Sequence, residues 1–210
     1  MAEIVSLKPH SKKSDLCVLV FSDGSEVVFY TDVAVMFRLS QGTVSEQVLR
    51  EATAEQNKRA ALADALRRVS MRRMTEKETA DYLTKKGYGE DVAAYALNKL
   101  KEYGYSGDAQ YAESYANAHS NTKGNRAVKF ALRQKGLSDE LIDPVLKSDE
   151  DEAETCVLAA RKFAKNRDLS DAKERTRLMR HLAYRGFGYT AISHALKTLA
   201  LPPETFGDSE

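Results

Sequence analysis

Five basic residues, Lys123, Arg126, Lys129, Arg133 and Lys135, fall between Ser114 and Ser138, a stretch without a single Asp or Glu. On a helical projection Arg126, Lys129 and Arg133 share one side, while Ala127, Val128, Ala131 and Leu132 lie opposite. One helix can therefore bury an apolar face and present a cationic stripe. Such a stripe attracts phosphate or acidic protein surface. Phe130 sits beside it. An aromatic among arginines can stack on a base or anchor a protein partner, but aromatics usually bury, so packing against an adjacent helical unit is the expectation. Further cations stand on either side, at Arg67, Arg68, Arg72, Arg73, Lys85 and Lys86 and at Arg175, Arg177, Arg180 and Arg185. Singly these read as solvated faces, whereas their recurrence points to a shared electrostatic surface.

Catalysis would need convergent groups of matched reactivity. His10, His119, His181 and His194 are scattered, and no His-Glu-x-x-His, Gly-x-Ser-x-Gly, Walker or dinucleotide fingerprint occurs. No catalytic residue, metal site or cofactor is expected, and the chain reads as a binding protein, not an enzyme. The acidic run Asp149 to Glu154 suits a helix N-terminus better than a metal. Cys17 and Cys156 lack Cys-x-x-Cys spacing and read as core thiols of a reducing compartment. With 42% apolar and 30% charged residues, the 210-residue chain is neither a disordered acidic chain nor a membrane protein. No apolar run approaches a membrane span, and Met1 to Lys13 lacks a signal-peptide core, so a cytoplasmic protein is expected.

The elements that must position these residues are mostly helical. Leu16 to Phe21 and Glu26 to Tyr30 are rich in β-branched and aromatic residues and flank Ser22-Asp23-Gly24-Ser25, which predicts a β-hairpin packed on neighbouring helices. Thr43 and Glu46 have capping-box spacing, ahead of a helical stripe at Ala61, Leu62, Ala65, Leu66 and Val69. Beyond it a motif recurs three times, leucine, two residues, a basic residue and glycine: Leu83 to Gly87, Leu132 to Gly136 and Leu182 to Gly186. A hydrophobic residue follows each glycine, Tyr88, Leu137 and Phe187, as a left-handed glycine after a helix requires. Leu97, Leu146 and Leu196 stand ten residues beyond, in a further helix. Upstream, Leu62 and Leu66 align with Tyr111 and Tyr115. The third copy aligns through Leu158 and Phe163, with about two extra residues in the Asn166 to Asp171 loop.

The expected fold is all-α, an elongated, curved array of three tandem three-helix repeats, each helix of about three turns, with a small N-terminal β-hairpin. Its parts are a hairpin and linker helices at 1–57, repeats at 58–104, 105–150 and 151–200, and a fraying tail at 201–210. A helix-turn-helix reading of the same glycine turns makes a DNA-binding regulator the competing possibility.

At these residues the sequence resembles the RecX family of recombinase regulators. Arg72, Thr75, Glu78, Leu83, Lys86 and Gly87 match the family's Arg-x-x-Ser/Thr-x-x-Glu and Leu-x-x-Lys-Gly run. Asp108, Tyr111, Ala112, Tyr115, Gly124, Arg126, Leu132, Lys135, Gly136 and Leu137 resemble its most recognisable stretch. The resemblance spans about residues 15 to 200, with Gly107 in place of the first of a frequent Asp-Asp pair and Thr79 where leucine is common. It implies a fold of tandem three-helix repeats and a protein that lies in the groove of the RecA filament on single-stranded DNA and damps ATP hydrolysis, strand exchange and LexA co-protease activity; a monomer is expected. Basic faces could also touch single- or double-stranded DNA. The candidate partner-binding residues are Arg67, Arg68, Arg72, Arg73, Lys86, Lys123, Arg126, Lys129, Phe130, Arg133, Lys135, Arg177, Arg180 and Arg185, centred on Arg126, Lys129 and Arg133.

Overall fold

The computed structural model describes residues 1–105, 107–165 and 167–199. The expected tail at 201–210, and Asn166 in the loop assigned two extra residues, lie outside them. The chain divides into two compact units, one made of Met1–Arg72 with Thr79–Ser106, the other of Arg73–Glu78 with Gly107–Glu210.

In the first unit the predicted hairpin forms as β2 (Leu16–Phe21) and β3 (Glu26–Tyr30), turned at Gly24 with φ +83°. Two more strands, β1 (Ala2–Pro9) and β4 (Gly42–Val44), extend it to an antiparallel sheet in the order β3-β2-β1-β4. An isolated hairpin is marginal in water. Here α1 (Thr31–Met36) and the start of α2 (Glu46–Met71) cover one sheet face, burying Ile4, Cys17, Leu19 and Phe29 with Val33, Ala34 and Ala52. The capping box expected of Thr43 does not form, because Thr43 pairs with Glu3 in the sheet; Ser45 caps α2 instead, its hydroxyl accepting from Val48 N–H at 3.2 Å. The rest of α2 packs with α3 (Glu76–Lys85) and α4 (Glu90–Glu102) around Ala61, Ala65, Leu83, Ala93, Ala96 and Leu100.

The second unit holds two further three-helix groups. The first comprises α5 (Asp108–His119), α6 (Asn125–Gln134) and α7 (Asp139–Ile142), the last running into a 3-10 turn at Asp143–Val145. Its third helix is much shorter than the expected three turns, since Pro144 has no N–H to continue an α-helix. The second comprises α8 (Asp149–Ala164), α9 (Ala172–Tyr184) and α10 (Tyr189–Thr198). Here Leu158 is 65% exposed, not buried as the aligned copies suggested; α8 turns Cys156, Val157 and Ala160 inward. In each group the opening helix meets its neighbours through small residues, Ala61 and Ala65, Ala112 and Ala116, Cys156 and Ala160, all buried.

The glycine motif folds the same way three times. Gly87, Gly136 and Gly186 have φ of +90°, +87° and +83°. The following N–H reaches back to the motif leucine: Tyr88 to Leu83 O, Leu137 to Leu132 O and Phe187 to Leu182 O, each at 3.2 Å. Each glycine N–H in turn donates to Thr84, Arg133 or Ala183 O at 2.9 Å. This paired ladder satisfies carbonyls the helix end would otherwise leave open.

The turn at Gly186 also receives another helix. Gly124 N–H donates to Arg185 O at 2.9 Å and Arg126 N–H to Gly186 O at 3.1 Å, so the open N-terminus of α6 sits on the open C-terminus of α9. A carboxylate from α8 completes the junction, Glu152 accepting from Asn125 N–H at 2.6 Å. The segment Arg73–Glu78 meets the Gly136 turn in the same manner. Thr75 Oγ1 donates to Lys135 O at 2.8 Å, and Asp108 of α5 accepts from Glu76 N–H at 3.0 Å. Among the described residues no helix is long and apolar enough to cross a membrane.

A Cβ on Gly124 would overlap the Gly186 carbonyl and Phe187 Cα, although Gly124 has φ −76° and carries no backbone strain. A Cβ on Gly87 meets nothing within 4 Å and incurs only the left-handed backbone cost. Gly124→Ala should therefore destabilise by about 2 kcal/mol or more, against about 1 kcal/mol for Gly87→Ala. Urea unfolding of the two variants gives the comparison, and equal midpoints would show that the α6–α9 junction is loose.

Candidate functional site

The structure separates the candidate cations into paired and unpaired sets. Lys129 bonds Asp143 and lies 3.4 Å from Asp139, while Arg133 Nε donates to Asp139 at 2.7 Å. Two of the three cations at the centre of the expected stripe thus face carboxylates of α7 and of the 3-10 turn that follows it. Lys135 reaches Glu78 at 2.7 Å, with its Nζ 5.3 Å from the centre of the Tyr111 ring. Lys86 meets Asp64 at 3.1 Å, and Arg67 bonds the same carboxylate; Arg177 bonds Glu174. Arg73 donates to Ser114 at 2.7 Å and Arg68 stacks over Tyr82. Among the described residues no carboxylate pairs with Arg72, Arg126 or Arg180, all exposed, nor with Lys123 or Arg185.

Asp139 feels this arrangement most. Its hydrogen bond from Arg133, then the charges of Arg133 and Lys129, draw its carboxyl down to about 2. Burial lowers the His181 pKa, and the charges of Arg185 and Arg167 lower it further. In the first unit the Tyr88 phenol, part-buried and donating to Asp64 at 3.0 Å, is pushed up to about 12.

Two of the cations without a carboxylate, Lys123 and Arg185, lie where α6 meets α9, and Arg126 and Arg180 stand exposed on the same two helices. Between the two helices lies an open groove of about 570 Å³ lined by Thr122, Lys123, Ala127, Phe130, Ala131, His181, Tyr184 and Arg185. Phe130 is 65% exposed and Tyr184 91% exposed. The expectation that Phe130 buries against a neighbouring repeat is overturned. It projects from α6 one turn beyond exposed Arg126, and Tyr184 projects from α9 one turn beyond exposed Arg180. Lys123 Nζ lies 6.0 Å from the Tyr115 ring centre, and Arg185 donates to Thr122 O at 3.2 Å, which holds both cations at the groove.

Sequence reasoning missed Tyr184 and His181. The repeat carried the signal for Tyr184. Two residues before the motif glycine the other copies have Lys85 and Gln134, so an aromatic there departs from a polar surface position. Phe130 shows the same departure six residues before its glycine, where the other copies have Asp81 and Arg180.

A four-stranded sheet followed by three helical groups, each turned at a left-handed glycine, defines a tandem three-helix repeat protein. Among the described residues no cluster of His, Cys, Asp or Glu is placed to hold a metal. Family models match three successive segments: the first three-helix domain of RecX at residues 61–100, the second at 108–146 and the third at 149–196. The chain belongs to the RecX family, a family of regulatory proteins. A regulatory protein RecX of Clostridium perfringens is 36% identical over 140 residues, 64% of this chain and 66% of that protein, just under two thirds of the relative's length. That of Streptococcus mutans is 28% identical over 95% of this chain and 79% of its own length. A crystal structure of regulatory protein RecX superposes with a TM-score of 0.71 over 94% of this chain and all of that one at 23% identity, which shows the shared fold. RecX from Lactobacillus salivarius gives 0.63 at 29% identity over 69% of this chain and 97% of that one.

The depressed Asp139 pKa makes a pH prediction. A carboxyl lowered in the folded state contributes stability above its ordinary value of 3.8 and loses it as pH falls through about 2. In a carbon-detected NMR titration Asp139 should titrate near 2 in the parent chain and move back toward 3.8 in Arg133→Gln. An unshifted midpoint in the parent would mean that Asp139 leaves Lys129 and Arg133 available to partners.

Proposed function

We propose that this protein, as a cytoplasmic monomer, binds the RecA filament on single-stranded DNA and inhibits its ATPase, strand-exchange and co-protease activities, acting in DNA repair and the SOS response. Membership of a regulatory family supports a protein target. The observation that carries the reading lies on α6 and α9, where among the described residues no carboxylate pairs with Lys123, Arg126, Arg180 or Arg185 and two aromatics, Phe130 and Tyr184, are exposed. A filament repeats its subunits, so modest contacts made by successive helical groups add through effective concentration. The cations tied to Asp139, Asp143, Glu78 and Asp64 contribute less, because a partner must first displace a carboxylate already in place.

The test is DNA-dependent ATP hydrolysis by RecA with less than one copy of the protein per recombinase subunit. The parent should inhibit. Arg126→Glu combined with Arg180→Glu should raise the half-inhibitory concentration at least about tenfold, equivalent to roughly 1.4 kcal/mol of binding, with unchanged helicity by circular dichroism. Lys129→Gln combined with Arg133→Gln should change it by less than about threefold, in line with the small worth of exposed ion pairs. Unchanged inhibition by the Arg126/Arg180 variant removes this face from the contact. Strong, salt-sensitive binding to bare DNA with no dependence on RecA would instead favour a DNA-binding regulator.

A further inference from the structure

We infer that the groove between α6 and α9 is a docking site for an acidic peptide segment anchored by one aromatic or bulky aliphatic side chain. The inference rests on the reading of the target as a protein, and it names the chemistry by which that partner is held.

The groove has the anatomy of a side-chain socket. Its lining includes two alanines, Ala127 and Ala131, which leave room where larger residues would fill it, and the exposed aromatics Phe130 and Tyr184. Its volume of about 570 Å³ lies within the range of roughly 300–1,000 Å³ typical of ligand clefts. Partly exposed aromatics around a concave apolar floor are the residues that most often carry binding energy at protein interfaces. Nothing in the fold requires them there, since the two equivalent positions in the other copies are polar, Asp81 and Arg180 for Phe130, Lys85 and Gln134 for Tyr184.

Charge sets the sign of the partner. No Asp or Glu lines the groove, Lys123 and Arg185 form its rim, and Arg126 and Arg180 stand exposed one turn from the two rings. A carboxylate flanking an anchoring side chain would therefore meet a cation on either wall, whereas a basic peptide would be repelled. The site is also formed before a partner arrives. Backbone bonds from Gly124 to Arg185 and from Arg126 to Gly186 fix where α6 leaves α9, so little ordering cost attends docking.

A nucleic-acid strand fits less well. The chain carries a net charge of only +1, far from the basic excess that marks a phosphate-binding surface. The lysines and arginines that would extend a phosphate track along α6, Lys129, Arg133 and Lys135, already hold Asp143, Asp139 and Glu78. What no carboxylate claims among the described residues is a short run of cations beside carbon, which suits one apolar anchor between carboxylates.

Fluorescence anisotropy with the full chain tests this directly. The probes are labelled 12-residue peptides of Asp, Glu, Ser and Gly with one central Phe or Leu, the same peptides with Ala at the centre, a Lys version of the Phe peptide, and a 12-nucleotide oligo(dT). The acidic Phe or Leu peptide should bind at least tenfold more tightly than its Ala version, and the Lys version should not bind. Phe130→Ala combined with Tyr184→Ala should weaken the peptide at least tenfold while leaving the melting temperature unchanged, as both rings are exposed. Failure of the acidic peptides to bind, indifference to the central residue, indifference to the double substitution, or tighter binding of oligo(dT) at the same groove would each overturn the proposal. The assay contains no recombinase, so its failure leaves the ATPase result standing, and loss of ATPase inhibition alone leaves the groove standing.

Discussion

The helical groups of the second unit are joined by hydrogen bonds between the end of one helix and the start of another. A helix leaves its last carbonyls and first N–H groups unpaired, and burying either set unpaired costs about 1–3 kcal/mol per group. At the Gly186 turn the carbonyls of Arg185 and Gly186 are offered to the N–H groups of Gly124 and Arg126, so two sets of open groups satisfy one another. The negative end of one helix dipole then faces the positive end of the next. Such close approach tolerates no side chain, which is why glycine stands on both sides of the contact. Glu152 and Asp108 complete the two N-termini, each a carboxylate from the helix that opens the following group. Helix α9 needs no such help, because Asp171 caps it locally through Lys173 N–H at 2.9 Å.

This junction accounts for residues that otherwise look like a contact surface. Thr75 and Glu78 form a reciprocal capping box, Thr75 N–H to Glu78 at 3.2 Å and Glu78 N–H to Thr75 Oγ1 at 3.1 Å. The same pair binds Lys135 through its carbonyl and its ammonium. Thr75, Glu78, Asp108, Tyr111, Lys135 and Gly136, all prominent in the family resemblance, therefore meet in one place and hold helices together. Exposed ion pairs contribute only about 0–1 kcal/mol each, so the carboxylates on Lys129 and Arg133 add little to stability. Their larger effect is to engage two of the three charges on that side of α6, leaving Arg126 without a carboxylate partner among the described residues.

The sequence made the repeat, its glycine turns and the hairpin legible, because each depends on local chemistry: a positive φ, a returning apolar residue, an Asp-Gly turn. Strands β1 and β4 were not legible. Ala2–Pro9 mixes apolar and polar residues without strict alternation, pairs with β2 through an irregular register near Ile4 and Ser6, and takes as its other partner the distant β4, Ala2 with Val44 and Ile4 with Gly42. The short α7 was legible in principle through Pro144, but the aligned leucine spacing masked it. Large apolar residues also misdirected the alignment of α8. The opening helices make their closest contacts through small residues, and Leu158 follows a pattern that the buried Cys156 and Ala160 do not share. The paired state of Lys129 and Arg133 escaped notice because a wheel drawn for one helix cannot show carboxylates on the next.

The aligned copies separate what the fold needs from what it merely carries. Residues required at every junction recur as types: leucine, a basic residue, glycine and a returning apolar side chain. Phe130 and Tyr184 do not recur, and their counterparts in the other copies are charged or polar and exposed. A position that is polar in its sister copies is under no packing demand for an aromatic, and exposing one large apolar ring stabilises nothing. Two such departures on helices joined by a fixed backbone contact, flanked by cations that no carboxylate claims, are hard to account for by folding alone. The repeat supplies the rigid frame, and a contact surface arises where one copy breaks the rule that the others keep.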